Sequence, residues 1–142
     1  MPKIDYEHNG VEREYEATTY TLMVYEQEFC NSGDERVTGD LIKDVFGRID
    51  TRKAAQNFDE NGNLVAWDYT IDNWTSQLRA FWAMLKTSEA ICKRDKRPCL
   101  PVPGFVQWCL ETRSIDMGEI SQAVWDECQR GLFRSGAADS EE

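Results

Sequence analysis

The feature that most constrains the fold is a stripe of large apolar side chains in the second half of the chain. Its members recur at helical spacing: Ile71, Trp74, Leu78, Phe81, Trp82 and Leu85. This spacing places them on one face of an α-helix, and the polar residues between them fall elsewhere. The sequence therefore predicts a helix from about Asp72 to Ala90, which we expect to be the central helix of the fold.

An alternating pattern at the amino terminus predicts a β-hairpin. The pair Asn9-Gly10 tolerates the positive φ angles of a two-residue turn. The alternating residues are Ile4, Tyr6 and His8 before the turn, and Val11, Arg13 and Tyr15 after it. Because an isolated two-stranded hairpin is barely stable in water, we expect it to pack on a helix or to pair with another strand.

Four more segments have the apolar spacing of amphipathic helices. The first two are a helix from about Thr21 to Phe29 and one on the stripe Leu41, Ile42, Val45, Phe46 and Ile49, with Thr38 or Asp40 as its cap. The other two are a short helix with Pro103 in its first turn, which carries Phe105, Val106, Trp108, Cys109 and Leu110, and a last helix from near Asp116, which carries Ile120, Val124, Trp125, Cys128 and Leu132. Asp116 and Glu119 have the spacing of a capping box.

These elements predict an α+β fold that is mainly α, with an N-terminal β-hairpin packed on a bundle of about five helices. We expect a single globular domain over residues 1–134. The remaining residues, 135–142, are small or acidic and have little to bury, so they predict a disordered acidic tail.

Charge and hydropathy limit the classes of partner. The chain has 142 residues, with 26 Asp or Glu against 16 Lys or Arg, and its formal charge is −10. Proteins that bind nucleic acid do so through clustered Lys and Arg, so we expect no nucleic-acid partner. There is no apolar run of the length that a membrane helix needs, and the amino terminus lacks the pattern of a signal peptide. We therefore expect no membrane contact and a cytoplasmic location.

The five cysteines show none of the close pairs that mark zinc sites or thioredoxin-type motifs. We interpret them as reduced thiols, with Cys109 and Cys128 acting as small hydrophobic residues in their helices.

The sequence offers little for catalysis. His8, the single histidine, lies beside the predicted turn with no evident partner, which gives poor support to a nucleophile activated by histidine. The glycines are scattered and form neither a phosphate-binding loop nor a dinucleotide fingerprint. We predict no catalytic residues, no cofactor and a non-enzymatic protein.

One polar segment aligns partly with a twelve-residue calcium loop. The residues at the ligand positions are Asn57, Asp59, Asn61 and Asp68, with Gly62 at the sharp turn. The first position is a neutral Asn and the last is Asp rather than a bidentate Glu, so calcium binding would be weak. We predict a polar turn here, with no metal site, and keep a calcium module as an alternative.

Two groups of residues are candidates for binding a partner protein. One is a basic run, Lys93, Arg94, Lys96 and Arg97, which suits an acidic partner segment but is also typical of a solvated loop. The other is apolar: Trp74, Leu78, Phe81, Trp82 and Trp125. Tryptophans at helical spacing are typical of a core, yet Trp is also enriched at interface hot spots, so both interpretations stay open.

The order of elements resembles the small tail assembly chaperones encoded by long-tailed phages and prophages of Gram-positive bacteria. The resemblance runs from about Ile4 to Arg134. Its most characteristic part is the pattern Trp74, Leu78, Phe81 and Trp82, followed by Lys86-Thr87 and a short helix bounded by proline.

The resemblance implies a role in phage tail morphogenesis, in the cytoplasm of the host bacterium. Such chaperones bind the long, helical tape measure protein, keep it soluble and recruit subunits of the major tail protein. This chain would correspond to the short form of the family, and self-association would follow from repeated contacts between copies. The family provides no catalytic residues.

A second class of function is an acidic mimic of DNA that inhibits a DNA-binding protein, its carboxylates standing in for phosphates. That function needs acids ordered along one surface. A third class is a small-ligand or calcium-binding module.

Overall fold

A computed structural model describes residues 1–31, 33, 37–46 and 74–133 of the protein. The described elements are β1 (Lys3–Ile4), β2 (Arg13–Glu14), α1 (Thr19–Phe29), α2 (Leu41–Phe46), α3 (Trp74–Arg94), α4 (Phe105–Glu111) and α5 (Met117–Gly131). The predicted fold class, a hairpin with a mainly helical body, is confirmed. In the described ranges, no helix has the length and apolar content needed to cross a membrane.

Helix α3 is the centre of the fold, as its apolar spacing predicts. It contacts α1, α2, α4, α5 and β2. The residues from Ala80 to Leu85 are each at most 2% exposed, so the middle of the helix is buried on every side. From the hairpin side, the rings of Tyr6 and Tyr15 pack on Phe81, with ring centroids 5.3 and 5.4 Å apart.

Helix α3 extends four residues beyond its predicted end at Ala90. Lys93 and Arg94 stay helical, where their charges suit the negative end of the helix dipole. The helix then closes with the N–H of Arg97 donating to the carbonyl of Cys92 (2.9 Å) and that of Lys96 to Lys93 (3.2 Å). Lys96 takes the left-handed conformation of this closure, with φ 57°.

The hairpin is confirmed, but its predicted two-residue turn at Asn9-Gly10 is wrong. The strands pair antiparallel with Ile4 opposite Arg13, so residues 5–12 form the connection. The Asp5 carboxylate accepts the N–H groups of Asn9 (3.0 Å) and Gly10 (2.7 Å), and these bonds, chiefly the one from Asn9, lower the pKa of Asp5. These side-chain bonds take the place of ladder bonds and widen the turn.

The outer helices begin close to their predicted positions. Thr18 caps α1 through a capping box with Thr21, two residues earlier than predicted. Asp40 caps α2, because its Oδ1 accepts the N–H of Lys43 at 3.2 Å. Asp116 caps α5 by accepting the N–H of Glu119 at 3.2 Å.

Helix α4 begins differently from its prediction. Its N-cap is Gly104, so Pro103 precedes the helix instead of lying in its first turn. Of the apolar residues in this helix, Trp108 is buried, whereas Cys109 is exposed, contrary to its predicted role as a small core residue.

All five cysteines are free thiols. Cys128 is fully buried, as predicted, and its burial, together with the charge of Glu127, raises the pKa of its thiol to about 12. It therefore stays protonated and packs as a small hydrophobic residue.

Some predictions fall on residues outside the described ranges. These are the calcium-like ligand positions Asn57, Asp59, Asn61 and Asp68, the apolar residues Ile49 and Ile71, and the predicted tail at 135–142.

The carboxyl end of α5 packs tightly against the segment that follows β2. Ala17 donates its backbone N–H to Oε2 of the buried Glu127 at 3.2 Å. Arg130 holds the Glu127 carboxylate in place, with Nε 3.1 Å from both oxygens. One turn along, Gly131 faces the Ala17 carbonyl so closely that a Cβ would overlap the oxygen.

Replacing Gly131 with alanine should therefore destabilise the protein, even though alanine favours helix formation. We expect the overlap with Ala17 to force the two segments apart and to lower the free energy of unfolding by about 2 kcal/mol or more. Chemical denaturation of G131A measures this change. The matched control is G118A in the same helix, where a Cβ would lie 3.2 Å from a side-chain oxygen of Asp116. An equal loss in both variants would contradict the prediction.

Candidate partner-binding surfaces

Two of the predicted partner-binding residues belong to the core instead. Phe81 is fully buried and Trp82 is 2% exposed. The Trp82 indole donates to the carbonyl of Pro103 at 2.9 Å, and its ring contacts Phe29 and Phe105 edge-on. These residues position α4 against α3, and they are not on the surface where a partner would reach them. Trp74 and Leu78, one turn or more earlier, are half-buried.

Trp125 is the predicted apolar candidate that lies on the surface. It is 41% exposed, and Phe133, near the end of the same helix, is 40% exposed. The ring of Phe46 lies between them, with centroids 5.3 Å from each. These three residues are called the aromatic patch below. Its ring contacts join the end of α2 to Trp125 of α5 and to Phe133, two residues beyond the end of α5.

Helix α4 has a second exposed apolar surface. The sequence predicted that these residues lie in the helix, but it did not predict that they are exposed. Val106 and Leu110 are 70% and 69% exposed, and Cys109 beside them is exposed. The i, i+3, i+4 spacing of these residues indicates that they share one face of the helix. The spacing alone does not indicate whether this face or the face that carries Trp108 packs against the core.

The basic run is exposed and largely engaged in local ion pairs. Lys93 lies 3.7 Å from Glu89, Arg94 lies 3.0 Å from Asp95, and Arg97 lies 3.8 Å from Glu14. Lys96 forms no ion pair with any residue in the described ranges. The run therefore belongs to the end of α3 and to the loop that meets the hairpin, and it is not a separate linker.

A cavity of about 300 Å³ lies beside the basic run, between the hairpin, α3 and the loop that leads to α4. Its lining residues are Lys3, Glu12, Arg13, Glu14, Leu85, Ser88, Glu89, Cys92, Arg97, Pro98, Cys99, Leu100 and Val102. Its walls come from the hairpin and from the end of α3 with the loop that follows it, which are far apart in the chain, so no local sequence pattern marks it.

Glu89 connects this region to the core. Its side chain is 8% exposed; Oε2 accepts the N–H of Val102 at 2.9 Å, and Oε1 lies 3.1 Å from the Lys86 ammonium. Burial acts to raise the pKa of Glu89, but the Val102 bond and the charges of Lys86 and Lys93 outweigh it, so the pKa is lowered from 4.5. The carboxylate thus holds the loop against α3.

His8 has a partner that the sequence did not indicate. Its Nε2 lies 3.3 Å from Oε1 of Glu119, and an oxygen of Asp116 is close to both. Asp116 uses its carboxylate as the N-cap of α5, and the positive end of a helix dipole disfavours a cation. We therefore infer that these contacts hold the hairpin loop against α5.

Comparison of the chain with protein-family models, with curated proteins and with solved structures finds no match.

Substituting Glu89 with glutamine should lower stability and change its pH dependence. In the native protein the folded pKa lies below the unfolded value, so the stabilisation by Glu89 is complete above the unfolded pKa, near 4.5, and is lost as the pH falls through the folded pKa. We expect E89Q to lose about 1–3 kcal/mol at pH 7 and to show a weaker loss of stability below pH 4.5. Urea unfolding between pH 3 and 7 measures both effects. E111Q, at an exposed position, is the control, and an unchanged pH profile in E89Q would contradict the assignment.

Proposed function

We propose that this protein is a non-enzymatic tail assembly chaperone of a long-tailed phage or prophage, working in the cytoplasm of its bacterial host. In this role it binds the tape measure protein, keeps it soluble and helps to recruit subunits of the major tail protein. The proposal starts from the resemblance of the sequence over Ile4 to Arg134.

The aromatic patch is the observation that carries the proposal. A long amphipathic helix is recognised through apolar anchors on its partner's surface, and Trp is enriched at the centres of such interfaces. Trp125 supplies an exposed indole, and Phe46 and Phe133 flank it. Because the neighbouring Ala123, Val124 and Cys128 are buried, the helix that presents Trp125 is fixed in place.

The charge of the chain fits the same role. A formal charge of −10 keeps a protein and its complexes apart in solution, which suits a coat for an apolar partner that would otherwise aggregate.

Co-expression tests the proposed function. The protein is produced with a tag alongside the tape measure protein encoded in the same gene cluster, and the soluble fraction is purified by the tag. We expect the tape measure protein to be soluble and captured with the chaperone, and insoluble when expressed alone. Capture of a DNA-binding protein in its place would support a DNA mimic, and insolubility of the tape measure protein in both cases would contradict the proposal.

The variant W125A should weaken that capture while leaving the fold intact. Removal of an exposed indole costs little stability, but loss of an interface anchor typically costs about 2 kcal/mol of binding, or roughly thirtyfold in affinity. The measurement is the amount of tape measure protein retained by W125A and by the conservative variant W125F. The control M23A removes an apolar side chain of 42% exposure from α1. Equal losses in W125A and M23A would contradict a role for the aromatic patch.

A further inference from the structure

The cavity beside the basic run has the features of a binding site. Its volume of about 300 Å³ is at the lower end of the range for small-ligand pockets, which is enough for one or two amino-acid side chains. Leu85, Leu100 and Val102 give it an apolar part, and the charged residues of the hairpin and the loop surround that part.

Two of the three carboxylates in its lining are already neutralised by other groups of the protein. Glu89 is held by Lys86, Lys93 and the N–H of Val102. Glu14 accepts a hydrogen bond from the Cys92 thiol at 3.4 Å and lies 3.8 Å from Arg97. Glu12, the third, is exposed to solvent.

The cations of the lining form fewer ion pairs within the described residues than these carboxylates do. Lys3 and Arg13 form no ion pair with any residue that the structure describes. Arg13 donates one guanidinium N–H to the carbonyl of Pro101 at 3.0 Å, and this bond holds its guanidinium beside the loop. Arg97 has a single, long contact with Glu14. Because Lys86 and Lys93 pair with Glu89 from outside the lining, the lining keeps two cations without an ion pair to a described residue, Lys3 and Arg13, against one such carboxylate, Glu12.

Ser88 adds a hydroxyl that lacks a partner. Its residue is 5% exposed and lines the cavity, and its hydroxyl makes no hydrogen bond to a described residue. Among the described residues, Ser121 Oγ is the enclosed side-chain oxygen or nitrogen without a partner, so the Ser88 hydroxyl is open to the cavity, where a ligand can accept its hydrogen bond. The cavity therefore has a neutral donor in its lining in addition to its cations.

We propose that this cavity binds the carboxylate of an acidic side chain in a peptide segment of a partner protein. The carboxylate accepts from the Ser88 hydroxyl and pairs with Arg13 and Lys3, while the stem of the side chain packs on Leu85 and Val102. The proposal does not depend on the partner being a tape measure protein, so its test is separate from that of the chaperone function.

The experiment uses a minimal mimic of an acidic residue in a peptide. The full chain, labelled with ¹⁵N, is titrated with N-acetyl-glutamate α-amide and followed by NMR. We expect saturable shifts confined to the backbone amides that line the cavity, among them Ser88, Cys99 and Leu100. The uncharged analogue, N-acetyl-glutamine α-amide, should bind about tenfold more weakly, because a charge-assisted bond is replaced by a neutral one.

Three variants locate the binding. S88A and R13Q should each weaken binding of the glutamate mimic by roughly threefold to tenfold. K96Q, which removes an exposed cation of the basic run outside the cavity lining, should leave binding within about twofold. The amide spectra of the variants without ligand show whether each one is folded.

Several results would overturn the proposal. They are shifts that spread over the whole basic surface without saturating, equal binding of the charged and neutral analogues, or full binding by both S88A and R13Q. Tighter binding of free succinate than of the glutamate mimic would also contradict it, because the site would then suit a small dicarboxylate and not a peptide.

Discussion

The burial of helix α3 is the constraint on which the rest of the structure depends. Its middle turns, from Ala80 to Leu85, have almost no contact with solvent, because α1, α2, α4, α5 and β2 all pack against the helix. Each large side chain buried there contributes about 1.5–3 kcal/mol. In the part of the chain that the structure describes, a hairpin and four shorter helices cover a helix of 21 residues. The peripheral helices can bury one face each, and their outer faces are left for solvent or partners.

Acidic side chains fasten the connecting segments to this frame. Asp5 binds backbone N–H groups in the hairpin loop, Asp44 binds that of Thr38, Glu89 that of Val102 and Glu127 that of Ala17. A carboxylate accepts several hydrogen bonds, so one side chain orders a stretch of backbone that has no helix or strand to satisfy it. Part of the acidity of the chain is therefore structural, and only the remainder gives the surface its negative charge.

The sequence predicted the elements because their apolar spacing is local information. The stripe of Trp74, Leu78 and Phe81 specifies a helix whatever surrounds it, and Asp116 specifies its cap within four residues. Exposure is a different matter, because it depends on contacts between distant residues. Nothing in the spacing of Trp82 and Trp125 distinguishes the first, buried under α4, from the second, on the surface.

The same limit explains what sequence reasoning missed. The hairpin turn depends on which oxygen reaches the N–H groups of Asn9 and Gly10, and the Asp5 side chain competes there with the strand partner. The cavity needs Arg13 of the hairpin to meet Ser88 and Leu100, which lie far from it in the chain. Of its cations, the sequence singled out only Arg97, as part of the basic run. No sequence pattern indicated that Lys3 and Arg13 lie beside it.

The aromatic patch and the cavity differ in chemistry, and this difference bears on how such an acidic protein recognises anything. Charges separated by more than about 8 Å are largely screened at physiological ionic strength, so the overall charge of −10 does not decide what binds at each surface. Trp125 and its neighbours would contribute binding free energy by burying apolar area, which salt does not screen. Arg13 and Lys3 would contribute it by pairing with a carboxylate, which salt weakens. A partner that used both surfaces would therefore lose only part of its affinity as salt is raised, whereas a partner held by the acidic surface of a DNA mimic would lose most of it.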